Sequence, residues 1–466
     1  MKYLGKSLVA IAITASISLQ NFASAENLLG LYREALINDP TILGAKASNL
    51  SDKEGVDQAR SFLLPQISAN YRINNNRSID NPGSRTFGAI TIPTGSTTDT
   101  DTNSWSVSLN QEIYHHDSWL GLSQAKKRVK QSNLSYDAQL QALIVRVAEA
   151  YFNVLSAEDG LEFSKAERES IHKQLEQTQQ RFDVGLIAIT DVHEAKARFD
   201  QALANEIIAK NQLDNANEAL REITGKSETN LSGLKNKIPL STPQPANITD
   251  WMRVAERSNI SLLSNQLNVD IARQEIKRKF SGHFPTIDLS GTYSDSSSDG
   301  NSKGPHTDPI TGVTTFVTSP VSYGGTTRTV SLTFSVPIFS GGRTSSSVRK
   351  AQADFQKATQ DLEKNHRKVI RDTRSAYLGV VASISSVNAL QQSLISNQKS
   401  LEATEAGFDV GTRTMVDVLL STSNLFNAKR NLSRSRYDYV LNVLKLKQAA
   451  GILTVDDLKL INAWLQ

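Results

Sequence analysis

The apolar positions of the chain follow two different spacings. Over 118–224 and 343–450 they recur at alternating steps of three and four residues, which is typical of long packed helices. One such seam consists of Tyr136, Leu140, Leu143, Val147, Ala150 and Val154. A second seam beside it consists of Ile144, Ala148, Tyr151 and Leu155. Two adjacent seams predict a helix that contacts two neighbours, as in a helical tube, whereas a wide apolar face buried in a globular bundle is the alternative.

The other patterned stretches alternate apolar and polar residues, which predicts β-strands with one apolar face. The alternation occurs within 66–114 and again within 286–339, and each stretch is predicted to form a β-hairpin. The apolar positions of two of these strands are Trp105, Val107, Leu109 and Ile113, and Val330, Leu332, Phe334 and Val336. Because the segment 74–103 is polar, we expect a long loop there between the two strands of the first hairpin.

A duplicated turn motif indicates that the chain contains two repeats. The segments 181–192 and 407–418 both contain Phe-Asp-Val-Gly followed by Asp-Val, and the copies are offset by 226 positions. The glycine of each copy predicts a reversal between two long helices, and we expect Asp191 to cap the helix that follows the first turn.

Each repeat is predicted to contain a helix, a β-hairpin and a long helical hairpin. The first repeat is predicted over 26–228, with its β-hairpin at 66–114 and its helical hairpin at 118–224. The second is predicted over 249–451, with its β-hairpin at 286–339 and its helical hairpin at 343–450. A linker with three prolines, 229–248, joins the repeats, and 452–466 is a C-terminal segment.

The first 25 residues have the pattern of a signal peptide. Lys2 and Lys6 precede a run of apolar and small residues, and Ala23-Ser24-Ala25 provides the small side chains of a cleavage site. We therefore expect residues 1–25 to be removed during export. No later segment approaches 18 consecutive apolar residues, so no transmembrane helix is expected.

Composition argues against enzymatic and nucleic-acid functions. The chain has no cysteine, which excludes disulfides, thiolate nucleophiles and cysteine-type zinc sites. The formal charge of +4 is too small to suggest a nucleic-acid partner. Gly225-Lys226-Ser227 resembles the end of a phosphate-binding loop, but the first glycine of that motif is absent. His115-His116 lies at a strand–helix junction and is expected to be a polar pair at the interface rather than a metal site. We expect no catalytic residue, no resident metal and no cofactor.

Four amphipathic strands are too few to close a membrane barrel, since known barrels begin at about eight strands. Three copies would supply twelve strands, so the pattern predicts a homotrimer embedded in lipid. The alternative is a non-channel coiled-coil protein, such as an adhesin or a periplasmic scaffold, whose hairpins pack on its own helices.

The duplicated hairpins and turns, with the segments 211–216, 410–414 and 416–419, resemble the TolC family of outer-membrane channel-tunnel proteins over essentially the whole mature chain. The resemblance implies an α+β membrane protein: a trimeric twelve-stranded outer-membrane β-barrel continued by a periplasmic α-helical barrel. It also implies an exit duct for multidrug efflux or type I protein secretion, opened by a periplasmic adaptor and an inner-membrane pump. The sequence leaves the cargo open.

The same resemblance assigns roles to the two turns. It implies that an adaptor docks on a tip formed by Val184, Gly185, Leu186, Val410, Gly411 and Thr412. It implies that the gate consists of Asp417, Arg413, Phe408, Gln180, Thr190 and Asp191. Arg413 would tie to the neighbouring first-repeat turn near Asp191 and Thr190, and Phe408 would meet Gln180.

A trimer would place Asp417 three times around one axis, and such carboxylate rings favour cations. This chain departs from the best-known member of the family at two positions. Leu420 occupies the position of that member's second aspartate, and Phe408 occupies the position of its aperture tyrosine. We therefore expect a single acidic ring, which multivalent cations would block less strongly.

Overall fold

The computed structural model describes residues 26–88, 90–226, 230–235, 237–308 and 310–466, so the predicted signal peptide lies outside the described residues. The helices are α1 (Leu28–Asn38), α2 (Pro40–Ser61), α3 (His116–Asp183), α4 (Ile189–Thr224), α5 (Ile248–Ser258), α6 (Ile260–Phe280), α7 (Arg343–Asp409), α8 (Met415–Ala449) and α9 (Val455–Asn462). The strands are β1 (Gln66–Ile79), β2 (Gly83–Phe87), β3 (Ile90–Thr94), β4 (Thr97–Tyr114), β5 (Thr286–Thr307) and β6 (Thr314–Ser335).

The four long strands form one antiparallel sheet in the order β1-β4-β5-β6. The hairpin of the first repeat therefore lies beside the hairpin of the second, joined by the β4–β5 ladder. On each strand the apolar residues of the predicted pattern share one face, because side chains alternate across a sheet. Ile67, Leu109, Gly291 and Val330 form one such row across the four strands.

The prediction of a long loop over 74–103 is wrong. Pairing between β1 and β4 continues to Ile79 and Thr97, and the short strands β2 and β3 form a further hairpin beyond it. Polar side chains sustain the extended ladder: Asn75 Nδ2 donates to Asp101 Oδ1 across the strands at 2.7 Å. A polar strand of this kind carries no apolar alternation, which is why the sequence pattern ended before the strand did.

Two very long helices give the molecule its height. Helix α3 has 68 residues and α7 has 67, and at about 1.5 Å per residue each is about 100 Å long. Both predicted seams of α3 are largely buried, with Val147 and Ala148 fully enclosed. Helix α3 packs on α4 and α8 along one part of its length and on α2 and α6 along another, so the prediction of two neighbours is confirmed.

The helices form a single layer that continues the sheet. Near the sheet their order is α2-α3-α6-α7, and further away it is α4-α3-α8-α7. Judged by length and composition alone, α7 is the one helix within the described residues that could cross a membrane, because part of it is sufficiently apolar. Only 17% of that apolar stretch is buried in the single chain, so most of it faces away from the chain's own core.

The main core lies part-way along the helical layer, where α1, α5, α9 and the linker pack against α3 and α8. Tyr151 is fully buried there, and its hydroxyl donates to the carbonyl oxygen of Ser232 at 2.5 Å. Trp251 is 2% exposed, and its Nε1 donates to the carbonyl oxygen of Pro245 at 2.7 Å. Burial raises the pKa of Tyr151, so this hydroxyl stays neutral and keeps donating at physiological pH.

Candidate functional site: the two interhelical turns

The two duplicated turns adopt the same backbone conformation. Gly185 has φ +77° and Gly411 has φ +81°, in the left-handed region that glycine enters without a steric penalty. In the first turn Leu186 N donates to the carbonyl oxygen of Arg181 at 2.9 Å, and in the second Thr412 N donates to that of Gly407 at 2.8 Å. These bonds span five residues and satisfy carbonyl groups that a helix end otherwise leaves unpaired.

Apolar side chains project from both turns into solvent. Val184 is 70% exposed, Leu186 is 72% exposed and Val410 is 75% exposed. Both turns lie at the end of the helical layer opposite the sheet, because each joins the far ends of two long helices. The molecule thus ends in a small apolar tip with no cover from its own chain.

An ion pair and a ring contact connect the two turns. Arg181 Nη2 lies 3.1 Å from Asp409 Oδ1, and the Arg181 guanidinium carbon lies 4.4 Å from the centroid of the Phe408 ring. Arg181 is not among the gate residues predicted from the sequence. Its position in the duplicated motif was a usable signal, because each copy has one cationic side chain and the two stand at different places: Arg181 corresponds to Gly407, and Arg413 corresponds to Ile187.

The predicted gate residues differ in how far the single chain covers them. Phe408 is half-buried against Arg181, the residue that follows Gln180. Gln180, Thr190 and Arg413 are exposed at the tip. The contacts expected for Gln180, and for Arg413 with the neighbouring turn, stay predictions about an assembly of several copies.

Asp417 forms a reciprocal cap at the start of α8. Its Oδ2 accepts hydrogen bonds from Thr414 N and Thr414 Oγ1, each at 3.0 Å, and Asp417 N donates to Thr414 Oγ1 at 3.3 Å. These bonds to the Thr414 backbone and hydroxyl, with the nearby charge of Arg413, lower the pKa of Asp417. Asp417 is therefore a fixed negative charge at neutral pH, held in one orientation.

The expectation that Asp191 caps α4 is wrong. The N-cap position of α4 is Ala188, which has no side-chain oxygen, and Asp191 lies in the first helical turn. The matching N-cap of α8 is Thr414, whose hydroxyl completes the reciprocal cap with Asp417. The two copies of the motif therefore differ at the cap: Asp191 has no partner hydroxyl at position 188, although its charge still suits the positive end of the helix.

His115 lies at the opposite end of the helical layer, between two carboxylates. Its Nε2 is 2.9 Å from Asp288 Oδ1, and its Nδ1 is 3.9 Å from Asp117 Oδ1. Among the described residues no group of three or more histidine, aspartate or glutamate side chains is arranged to hold a metal ion. His115 links the start of α3 to strand β5.

Comparison with known proteins agrees with this architecture. The family model described as outer membrane efflux protein matches residues 31–226 and 251–452, one match to each repeat. The outer membrane protein TolC of Vibrio cholerae is 40% identical over 463 residues, which is 99% of each chain. The alkaline protease secretion protein AprF of Pseudomonas aeruginosa is 29% identical over 455 residues, covering 96% of this chain and 88% of the relative.

A solved structure with the same fold is the Campylobacter jejuni CmeC outer membrane channel, with a TM-score of 0.72 and 17% identity over 95% of this chain and 90% of that chain. The family and its relatives are passive channels rather than enzymes, and their location is the outer membrane with an extension into the periplasm. The α+β membrane fold predicted from the sequence is confirmed, and the scaffold alternative is not supported. The chain belongs to the outer membrane efflux protein family, and it is an outer-membrane exit duct.

Proposed function

We propose that three copies of this chain close into one continuous duct. The observation that carries the proposal is that the sheet and the helical layer end on the same two sides. The sheet has β1 at one edge and β6 at the other. The helical layer has α2 and α4 at the first edge and α7 at the second. Closure then pairs β6 with β1 of a neighbouring copy and packs α7 against its α2 and α4.

The edge helices carry the apolar surface that such an interface needs. On α4, Leu203, Ile207 and Ile208 are 41%, 64% and 55% exposed. On α7, Leu378 and Ile395 are 54% and 50% exposed. An unpaired strand edge and an exposed apolar helix face are both unfavourable in a monomer, and trimer closure removes both. TolC-family channels are homotrimers that work with adaptor and pump partners, which supports the same assembly here.

We further propose that the apolar tip is the docking surface for a periplasmic adaptor coupled to an inner-membrane pump. The tip residues are Val184, Gly185, Leu186, Val410, Gly411 and Thr412. Neither glycine has any atom within 4 Å of the position that a Cβ would occupy, so the backbone of each turn is open to close approach by another helix.

We also propose that the tip surrounds the trimer axis and forms the gate of the duct. Asp417 then forms a ring of three fixed carboxylates, and Arg181 holds the two turns of each chain together through Phe408 and Asp409. Arg413, Thr190, Asp191 and Gln180 supply polar contacts to the neighbouring copy, and an adaptor that offers competing contacts shifts the equilibrium toward the open state. Because Leu420 is 51% exposed and carries no charge, only one acidic ring forms.

Two classes of cargo are supported by the relatives. AprF is by its name a secretion protein for an alkaline protease, which supports export of a polypeptide, and the family description supports efflux of small molecules. Deletion of the gene, followed by measurement of both drug susceptibility and the secreted proteins, distinguishes these two uses.

Electrophoresis of the mature chain from purified outer membranes tests the assembly. We expect a band at three times the monomer mass without heating and a single monomer band after boiling. A monomer in the unheated sample, with the protein in the soluble periplasmic fraction, would contradict the duct and favour a scaffold.

A further inference from the structure

The upper part of α7, near the sheet, carries a stripe of charged side chains where a packed helix would carry apolar ones. The residues recur at steps of four and three: Lys357, Asp361, Lys364, Lys368 and Arg371. All five are at least partly exposed. A heptad-spaced line of this kind faces one direction along the whole segment.

Contacts on the other sides of α7 establish that direction. Helix α7 packs against α6, and Ala351, Ala358 and Val369 of α7 are buried. His366 Nε2 lies 3.2 Å from Glu256 Oε1 of α5. At 100° per residue, Lys368 projects about 200° around the helix from His366, so the charged stripe lies on the side of the helical layer opposite α5.

The side opposite α5 is the inside of the proposed trimer. A tube whose wall is one layer of helices has no room within it for the additional helices α1, α5 and α9 of three chains, so these helices lie outside. The charged stripe then faces the lumen. This step rests on the proposed function.

The stripe is not electrically balanced. Lys357 Nζ is paired with Asp361 Oδ2 at 2.9 Å, and Arg371 Nη2 is paired with Asp372 Oδ1 at 2.8 Å. Lys364 and Lys368 have no acidic side chain within ion-pair distance among the described residues. Both line a cleft of about 760 Å³ that also includes the amide side chains of Asn265 and Asn365. The cleft is also lined by Asp361, Glu363, Arg367 and Arg371, and Arg367 Nε lies 2.7 Å from Glu363 Oε1. With four cationic and two acidic side chains, the cleft combines a net positive charge with neutral hydrogen-bonding groups.

We propose that Lys364 and Lys368 form a binding station for carboxylate-rich polypeptide segments in transit through the upper tunnel. Three copies place six ammonium groups around one lumen, and a cationic ring of this kind raises the local concentration of anions. An acidic segment that has passed the Asp417 ring at the tip is then attracted by the lysine side chains further along the tunnel. The duct is thus cation-favouring at its periplasmic entrance and anion-favouring below the barrel.

The test is block of single-channel current by a peptide of ten glutamates. The trimer is inserted into a planar bilayer from one side, which leaves the helical part on that side because about 100 Å of polar helix cannot cross a bilayer. Peptide added to the opposite chamber enters through the barrel and reaches α7 without passing the tip. We expect voltage-dependent block that free glutamate at the same carboxylate concentration does not produce.

The variant Lys364→Gln with Lys368→Gln should raise the peptide concentration for half-block by about tenfold or more, since multivalent charge attraction is lost. The matched control is Lys237→Gln with Lys459→Gln, which removes the same charge from the linker and α9 on the outer side; block should equal that of the unmodified protein.

Each outcome has a distinct meaning. Equal block in the lysine variant and the unmodified channel would overturn the binding station while leaving the duct intact. Equal weakening in the control variant would also overturn it, because the effect would then reflect total charge. Failure of the unmodified protein to form trimers or conduct would overturn the proposed function and the station with it.

Discussion

The predicted lipid-facing surface of the barrel can be tested by placing one charge on either face of the same strand. Leu332 lies on the apolar face of β6, where it pairs with Leu289 of β5 and is 69% exposed in the single chain. It stands three residues before the strand end at Ser335. At about 3.3 Å per residue and a tilt of about 40°, this is about 8 Å along the barrel axis from the strand end, within about 5 Å of the middle of an apolar band about 25 Å tall.

Arginine at Leu332 should therefore meet nearly the full midplane penalty, about 2–4 kcal/mol per chain, rather than the value near zero found at the interfaces. At about 1.4 kcal/mol per tenfold change, this lowers the folded-to-unfolded ratio by about 30-fold to about 1,000-fold. The adjacent Ser331 points to the opposite, polar face, so Ser331→Arg is the matched control with the same added side chain.

The assay is unfolding of purified protein in lipid vesicles by guanidinium, followed by the loss of heat-sensitive trimers on a gel. We expect Leu332→Arg to lower the transition midpoint strongly and Ser331→Arg to leave it nearly unchanged. A similar loss in both variants, or none in either, would mean that the apolar face of β6 does not contact lipid.

Three further predictions concern the tip. Gly185→Glu or Gly411→Glu should abolish export with trimers intact, because both glycines have positive φ and lie on the docking surface. Asparagine at the same positions should retain more export, because asparagine tolerates that conformation. Unimpaired export in both glutamate variants would exclude tip docking. Arg413→Ser combined with Phe408→Ala should raise single-channel conductance and admit large antibiotics, and unchanged conductance in confirmed trimers would place the gate elsewhere. Asp417→Asn should remove most cation selectivity in reversal-potential measurements. Because the pKa of Asp417 is lowered, selectivity in the unmodified channel should persist as the pH falls through the usual aspartate range and disappear only below it; loss at the ordinary aspartate pKa would contradict the cap geometry.

The repeats and the long helices could be predicted because their signals are strong and local. Two adjacent heptad seams within a long proline-free segment have few structural alternatives, and two glycine turns with the same flanking residues predict the same reversal. The upper parts of β1 and β4 could not be predicted in this way, because pairs such as Asn75 with Asp101 depend on the cross-strand partner and not on alternation along one strand.

Within the site, the sequence indicated the turns but not their internal contacts. The interaction of Arg181 with Phe408 and Asp409 joins residues more than 200 positions apart, and only the packing of α3 on α8 and of α8 on α7 brings them together. The cap at Asp417 depends on the hydroxyl of Thr414. The two motif copies look alike in sequence, but Ala188 has no hydroxyl with which Asp191 could form the same cap.

The length of the strands has a consequence for where cargo leaves the molecule. Strands β5 and β6 each have 22 residues, which extend about 70 Å along the strand and about 55 Å along a barrel axis if tilted by about 40°. Only about 25 Å of that height is needed for the hydrocarbon layer. The duct therefore releases its contents about 30 Å above the hydrocarbon boundary, beyond the polar headgroup layer. The β5–β6 turn around Ile310 is accordingly a suitable place for a surface epitope tag that antibodies reach on intact cells.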